Sequence, residues 1–178
     1  MFRAAATIFV CLVAFMVGAG AAPAGREGKA TKPYVQWRGA ASARTEGGFV
    51  RVTTQEQWTA LWGEHSGRAP QAAGNPPPAP EVDFDQCLVI AYFRANAART
   101  TGERAKEIED QDQRVVLRFE SVRYQVMRAQ DAPPERTGTS YGIWVIPRTA
   151  KPIVIEENVQ SIIGQPPIWK ERQVFPAI

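Results

Sequence analysis

The chain has 178 residues, and its 21 basic and 18 acidic side chains leave a formal net charge of +3. This length fits one ordinary domain. Basic and acidic residues are interleaved, which argues against a nucleic-acid binder because a phosphate backbone requires a concentrated positive field. One histidine and two cysteines exclude a histidine-rich metal site and a disulfide scaffold.

The first residues have the three-part layout of a secretory signal. Met1–Arg3 supplies a positive start, Ala4–Val17 is apolar, and Gly18–Ala22 provides small residues for cleavage. This layout predicts a signal peptide over residues 1–21 and a secreted or periplasmic protein. The apolar run extended to Ala22 approaches the ~20 residues that span a bilayer, so an uncleaved membrane anchor is the alternative. Residues 22–33 are predicted to form a flexible leader.

The clearest local signal predicts one helix after a short strand at 49–52. Thr53 or Thr54 can cap this helix, with Glu56 or Gln57 completing a capping box. Further along, the spacing i, i+3, i+4 places three large apolar residues on one face: Trp58, Leu61 and Trp62. Core packing against a sheet is the preferred interpretation of this face, and stacking on a cofactor is the alternative.

The remaining apolar runs predict short strands with turns between them. The run Cys87–Phe93 is apolar on both faces and predicts an interior strand. The apolar phase then shifts near Ser121, which predicts a bulge or tight turn there. Strands are predicted at 34–37, 49–52, 87–93, 103–108, 115–119, 141–147 and 153–155. Residues 34–157 are therefore predicted to be an α+β domain: a mostly antiparallel sheet of about six short strands with one helix packed on it.

Two Pro- and Gly-rich stretches, 67–80 and 131–139, predict loops. Residues 158–178 are predicted to be a tail with one helical turn over Val159, Ile162 and Ile163. Pro166 and Pro167 then force extension toward Trp169 and Phe175.

Few side chains suit catalysis. His65 is the only imidazole that could serve a nucleophilic triad, and it lies at the predicted helix end, where a positive charge suits the helix dipole. Cys87 opens an apolar run and is interpreted as core filler. Asp83 and Asp85 could offer oxygens to a cation, but carboxylates more often solvate the start of a buried strand. No catalytic residue, metal or cofactor is predicted.

One enzymatic alternative stays open at this point. Glu156 and Glu157 end a predicted strand, and on folding they could join Asp83 or Asp85 in a pocket. That arrangement would indicate a secreted hydrolase or a small-ligand-binding protein. The alternative depends on whether these carboxylates converge.

The segment Val50–Trp58 with Leu61 and Trp62, then Pro80–Asp85 and the turn Arg99–Gly102, resembles the C-terminal domain of the PrcB family of protease-complex proteins. Tyr141–Pro147 followed by Pro152–Val154 is similar to that family's closing strand pair. The family is known chiefly as an extracytoplasmic, non-catalytic module, and some members belong to surface protease complexes. The resemblance implies a protein partner, such as a protease, and no enzymatic activity.

The turn formed by Arg99, Thr100, Thr101 and Gly102 is the predicted binding segment. It is also similar to the Thr-Thr-Gly-Tyr loop with which chagasin-like inhibitors enter cysteine-peptidase clefts. The family's turn usually continues Thr-Gly-Gly-Tyr into an apolar strand, whereas Glu103 and Arg104 follow Gly102 here. No nucleic-acid partner is predicted, and a membrane is predicted only if the signal stays uncleaved.

Overall fold

The computed structural model of the protein describes residues 30–67, 78–125, 137–160, 162 and 164–178. Within these ranges the chain forms one helix, α1 (Gln55–Ser66), and nine strands. The strands are β1 (Ala30–Thr31), β2 (Val35–Gly39), β3 (Gly48–Val52), β4 (Cys87–Ala97), β5 (Thr100–Asp110), β6 (Val115–Arg123), β7 (Gly138–Pro147), β8 (Ile153–Asn158) and β9 (Trp169–Phe175). The predicted signal peptide and most of both predicted Pro-rich loops lie outside the described residues.

The strands form two sheets with the orders β1-β5-β6-β8-β9 and β2-β7-β4-β3. Neighbouring strands are antiparallel except β6 and β8, which are parallel. The coarse prediction of a mostly antiparallel α+β domain with one helix agrees with this arrangement. The prediction of a single sheet with about six strands was wrong. Segments expected to be leader and tail, at 30–31 and 169–175, pair with β5 and β8 instead.

Burial of β4 on both faces explains its uninterrupted apolar run. Leu88 and Ile90 face the core between the two sheets, where they join Leu117 and Phe119 of β6. The intervening side chains belong to a second core beneath α1: Val89, Ala91 and Phe93. The domain is therefore built in three layers, sheet on sheet on helix, and the prediction of an interior strand is confirmed.

The helix begins where its capping residues predict. Thr54 is the N-cap, and its hydroxyl accepts a hydrogen bond from the Gln57 amide at 3.3 Å. The Gln57 side chain accepts from the amide of Thr53 at 2.9 Å, so the reciprocal bond reaches one residue further back than in a standard capping box. Trp58 and Leu61 are buried on the face toward the sheet. This confirms the predicted core face of the helix.

The phase shift near Ser121 does not produce a bulge in β6. That strand continues to Arg123, and the extra residues in the ladder lie on β5, between Thr100 and Glu103 and between Ala105 and Glu107. The bulge was expected to turn the next apolar residues, Val122, Tyr124 and Val126, back to the core. This was wrong for the first two, and Val126 lies outside the described residues. Val122 is half-buried and Tyr124 is exposed.

Among the described residues, no helix is long and apolar enough to cross a bilayer.

Candidate functional site

Strand directions bring several connections to one end of the sandwich, which we call the loop end. Here β2, β4, β6 and β8 finish, and β3, β5, β7 and β9 begin. The β4–β5 turn and the β8–β9 loop therefore project from the same end. The predicted binding segment lies there as well.

Only part of the predicted binding turn is available to a partner. Thr100 is buried, where its hydroxyl donates to the Val122 carbonyl at 3.1 Å and accepts from the Gly102 amide at 3.0 Å. Thr101 is exposed, and its hydroxyl accepts from Arg38 at 2.9 Å. Arg99 is half-buried with a φ of 53°. Thr100 and Gly102 thus shape the turn, while Thr101 and Arg99 form its surface.

Large apolar side chains are exposed at the loop end, one beside this turn and three in the β8–β9 loop. Tyr124 is 50% exposed, and its amide donates to the Arg99 carbonyl at 3.0 Å, so it lies beside the turn. The β8–β9 loop contributes three more residues, of which Val159 is 40%, Ile162 63% and Ile168 53% exposed. The other four exposed large apolar side chains, Tyr34, Val35, Val174 and Ile178, lie toward the opposite end of the strands. Exposed apolar groups that follow one another in a connecting loop are typical of contact sites. The helical turn predicted over Val159, Ile162 and Ile163 is not found at Val159 and Ile162, which are not helical, and Ile163 lies outside the described residues.

A buried charge network lies beneath the loop end. Arg94 donates to Glu103 at 3.0 Å and to Glu157 at 2.6 Å, and Arg172 donates to Glu157 at 2.7 Å. Glu103 is fully buried and also accepts from the Ser140 hydroxyl at 2.8 Å. Burial by itself would lower the pKa of Arg94, but the hydrogen bond and the charges of the two glutamates hold it above its ordinary value. The network locks β4, β5, β8 and β9 together.

The carboxylates proposed for a hydrolase site are not brought together. Glu157 belongs to the buried network, and Glu156 accepts from Arg118 at 2.8 Å. Asp83 and Asp85 lie at the opposite end, before β4, where the Asp83 carboxylate accepts from the Asp85 amide at 3.0 Å. This bond shapes the turn that leads into the buried strand. Within the described ranges, no group of three or more His, Cys, Asp and Glu residues is arranged to hold a metal ion.

Arg118 organises a second set of carboxylates on the outer face of the five-stranded sheet. It donates to Glu107 at 2.6 Å and contacts Glu109 at 3.2 Å, in addition to Glu156. Its guanidinium lies over the Trp169 ring, 5.6 Å from the ring centre. Burial opposes the charge, but the hydrogen bonds to Glu107 and Glu156 raise the pKa of Arg118. This cluster fastens β9 to the sheet.

The roles of Arg94 and Arg118 were not predicted from the sequence. A signal was nevertheless present for Arg94. In β4 the even-numbered side chains face the core between the sheets, and Arg94 continues the series of Leu88 and Ile90. Because side chains alternate strictly along a strand, the sequence places the Arg94 cation at the end of the buried face of β4. A cation buried there requires an anion as its partner. Nothing local identified Glu103 and Glu157 as those anions.

His65 and Cys87 occupy structural positions. The Nδ1 atom of His65 is 2.9 Å from the Ser42 hydroxyl, and its ring packs against Tyr141 with centroids 4.1 Å apart. Ser42 also accepts from the Arg44 amide at 3.1 Å, so its hydroxyl is already used in its own turn. Burial, and then the charge of Asp83, raise the pKa of Cys87, which disfavours the reactive thiolate.

His65 should titrate below pH 6.5, because burial lowers its pKa and disfavours the charged ring that the helix dipole was expected to favour. Neutral His65 contributes its full stabilisation above the pKa that the imidazole has in the unfolded chain. This contribution falls as the pH drops toward the lower pKa of the folded protein, because unfolded chains take up the proton first. Since the chain has one histidine, a single imidazole NMR resonance reports the midpoint. His65→Gln should reduce the slope of stability against pH below 6.5, and a wild-type midpoint at or above 6.5 would contradict this assignment.

Two shallow cavities of about 440 Å³ each open on the described surface. One lies at the end of α1, and the other lies beyond the start of β4. The second contains Asp85 and Arg148 but neither Glu156 nor Glu157. Neither cavity gathers the carboxylates on which the hydrolase alternative depends.

No family model matches the chain, and comparison with curated proteins and with solved structures gave no match. The resemblance to the PrcB family therefore depends on the motifs quoted above.

Proposed function

We propose that the protein is an exported, non-enzymatic domain that binds another protein at its loop end, as an accessory component of an extracytoplasmic protease complex. The observation that carries this proposal is that four of the eight large apolar side chains exposed in the described residues lie at the loop end: Tyr124, Val159, Ile162 and Ile168. Protein contact sites are enriched in such side chains, with polar groups around them. Export and the protease complex follow from the signal layout and the family resemblance.

The state of the polar side chains supports binding over catalysis. Arginines hold Glu103, Glu156 and Glu157, and the Ser42–His65 contact ties a loop to the end of α1. A general acid or base must reach a proton on the substrate. The carboxylates of Glu103, Glu156 and Glu157 are bonded within the fold instead. A secreted hydrolase is the rival function, and it requires one of them to act on a substrate.

Cross-linking of the mature protein in its native compartment tests the proposal. We expect one abundant protein partner, and we expect the purified chain to turn over none of a panel of peptide, ester and glycoside substrates. Recovery of only a monomer under mild conditions would count against a binding module. Turnover that stops in Glu157→Gln, while that variant stays folded, would establish the hydrolase instead.

A further inference from the structure

We infer that the β8–β9 loop is the principal contact surface, and that its partner presents apolar side chains flanked by carboxylates; this inference rests on the proposed function. The surface consists of Tyr124, Val159, Ile162 and Ile168, with Arg123 and Lys170 beside them. This surface is separate from the predicted binding turn at Arg99–Gly102, in which Thr100 and Gly102 are buried.

Hydrogen bonds hold the base of the loop in one shape. The Val159 amide donates to the Ile168 carbonyl at 2.8 Å, which closes the loop across its neck. The Asn158 side-chain oxygen accepts from the amides of Gln160 at 3.0 Å and Ile168 at 3.1 Å. Pro166 and Pro167 further restrict the returning chain. Val159 and Ile168, which these bonds hold in place, lose little conformational entropy on binding, and this favours affinity.

Charges beside the loop indicate what the partner carries. Arg123, at the end of β6, and Lys170, at the start of β9, are both exposed. Glu171 is exposed as well, but as the next residue of β9 its side chain points to the opposite face of the strand from Lys170. Two carboxylates on adjoining strands are already bonded. Glu120 accepts from Arg104, and Glu157 binds both Arg94 and Arg172. Among the described residues beside the β8–β9 loop, Arg123 and Lys170 therefore present positive charge next to its apolar side chains. A partner with acidic groups around an apolar segment complements it.

The path of the chain favours a protein over a membrane as the occupant. Ala30 enters β1 opposite Glu109, near the finish of β5, whereas the loop end lies at the start of β5. An eleven-residue strand such as β5 spans roughly 35 Å at about 3.3 Å per residue. A membrane-held leader would thus join the domain at the end opposite the apolar loop. Binding of the loop to anionic lipid is the competing result that the test below can detect.

A photoreactive residue placed at position 162 tests the inference, with the same residue at Val174 as the matched control. Both side chains are exposed and apolar, but Val174 pairs with Val154 near the opposite end of β8. In the mature chain in its native compartment, we expect at least tenfold more protein adduct at 162 than at 174. A synthetic peptide alternating leucine and glutamate should compete for the adduct, and a leucine–lysine peptide should not.

Charge and apolar variants complete the design. Ile162→Asp should lower the yield of the complex at least tenfold, the double variant Arg123→Glu with Lys170→Glu about tenfold, and Val174→Asp less than twofold, with thermal unfolding unchanged in each. A complex that forms without contact at 162 overturns this inference and leaves the proposed function intact. The absence of any complex overturns both. Equal competition by the lysine peptide, or Ile162-dependent binding to phosphatidylglycerol vesicles in place of a protein adduct, also overturns it.

Discussion

Replacing Arg94 with methionine should lower the free energy of unfolding by about 3–5 kcal/mol. The fully buried carboxylate of Glu103 would lose its cation, and Glu157 would keep only Arg172. A buried charge left without its partner loses most of the interaction that offset its removal from water. The hydroxyl of Ser140 still donates to Glu103, but a neutral donor does not replace the guanidinium.

Arg104→Met is the matched control for this prediction. Arg104 is a neighbouring arginine whose side chain is 43% exposed, and it pairs with the partly exposed Glu120. Such a pair contributes about 0–1 kcal/mol, so its loss should be small. Urea unfolding at neutral pH measures both variants. If the two substitutions destabilise the protein equally, the burial of the Arg94–Glu103 pair does not make it more important to stability than an exposed pair.

Replacing Gly102 with alanine should destabilise the protein by about 2–5 kcal/mol, from backbone strain and overpacking together. Gly102 has a φ of +105°, a conformation that residues with a side chain rarely adopt. A Cβ atom there would lie 2.4 Å from the Gly39 amide nitrogen and 2.9 Å from the Tyr141 carbonyl oxygen. Because both are backbone atoms, β5 would have to move away from β2 and β7.

Gly63→Ala is the control for this second prediction. Gly63 lies inside α1, and an added Cβ would meet nothing within 4 Å. Alanine there should raise stability by about 0.5–1 kcal/mol, because glycine carries an entropic cost in a helix. Thermal and denaturant unfolding compare the two variants. Equal effects would show that Gly102 is not required for the approach of the strands.

Gly102 is unsuitable as a probe of the predicted binding turn. A loss of partner binding in Gly102→Ala would report a disturbed sandwich as much as a lost contact. Thr101→Ala is the cleaner probe, because Thr101 is exposed and its hydroxyl bonds to the side chain of Arg38 and the carbonyl of Val122, so no strand has to move when it is removed. If the β8–β9 loop is the principal contact, this variant should affect partner binding less than Ile162→Asp does.

The sequence by itself determined the features that depend on short windows of chain. Thr54 and Gln57 start the helix, the spacing of Trp58 and Leu61 defines its buried face, and the run at Cys87–Phe93 forms an interior strand. Capping, helical periodicity and apolar runs each act over fewer than about a dozen residues. These predictions succeeded because the responsible residues are close neighbours along the chain.

Only the tertiary structure decided which strands share a sheet and which charges meet. Arg94 binds Glu157 across 63 positions of sequence, and β9 joins β8 although its residues were expected to be a tail. Those outcomes depend on strand order, including the parallel pairing of β6 with β8, which brings distant segments side by side. A carboxylate next to a strand has many arginines available as partners in this chain. The choice among them is made by the free energy of the whole packed sandwich, which no local pattern contains.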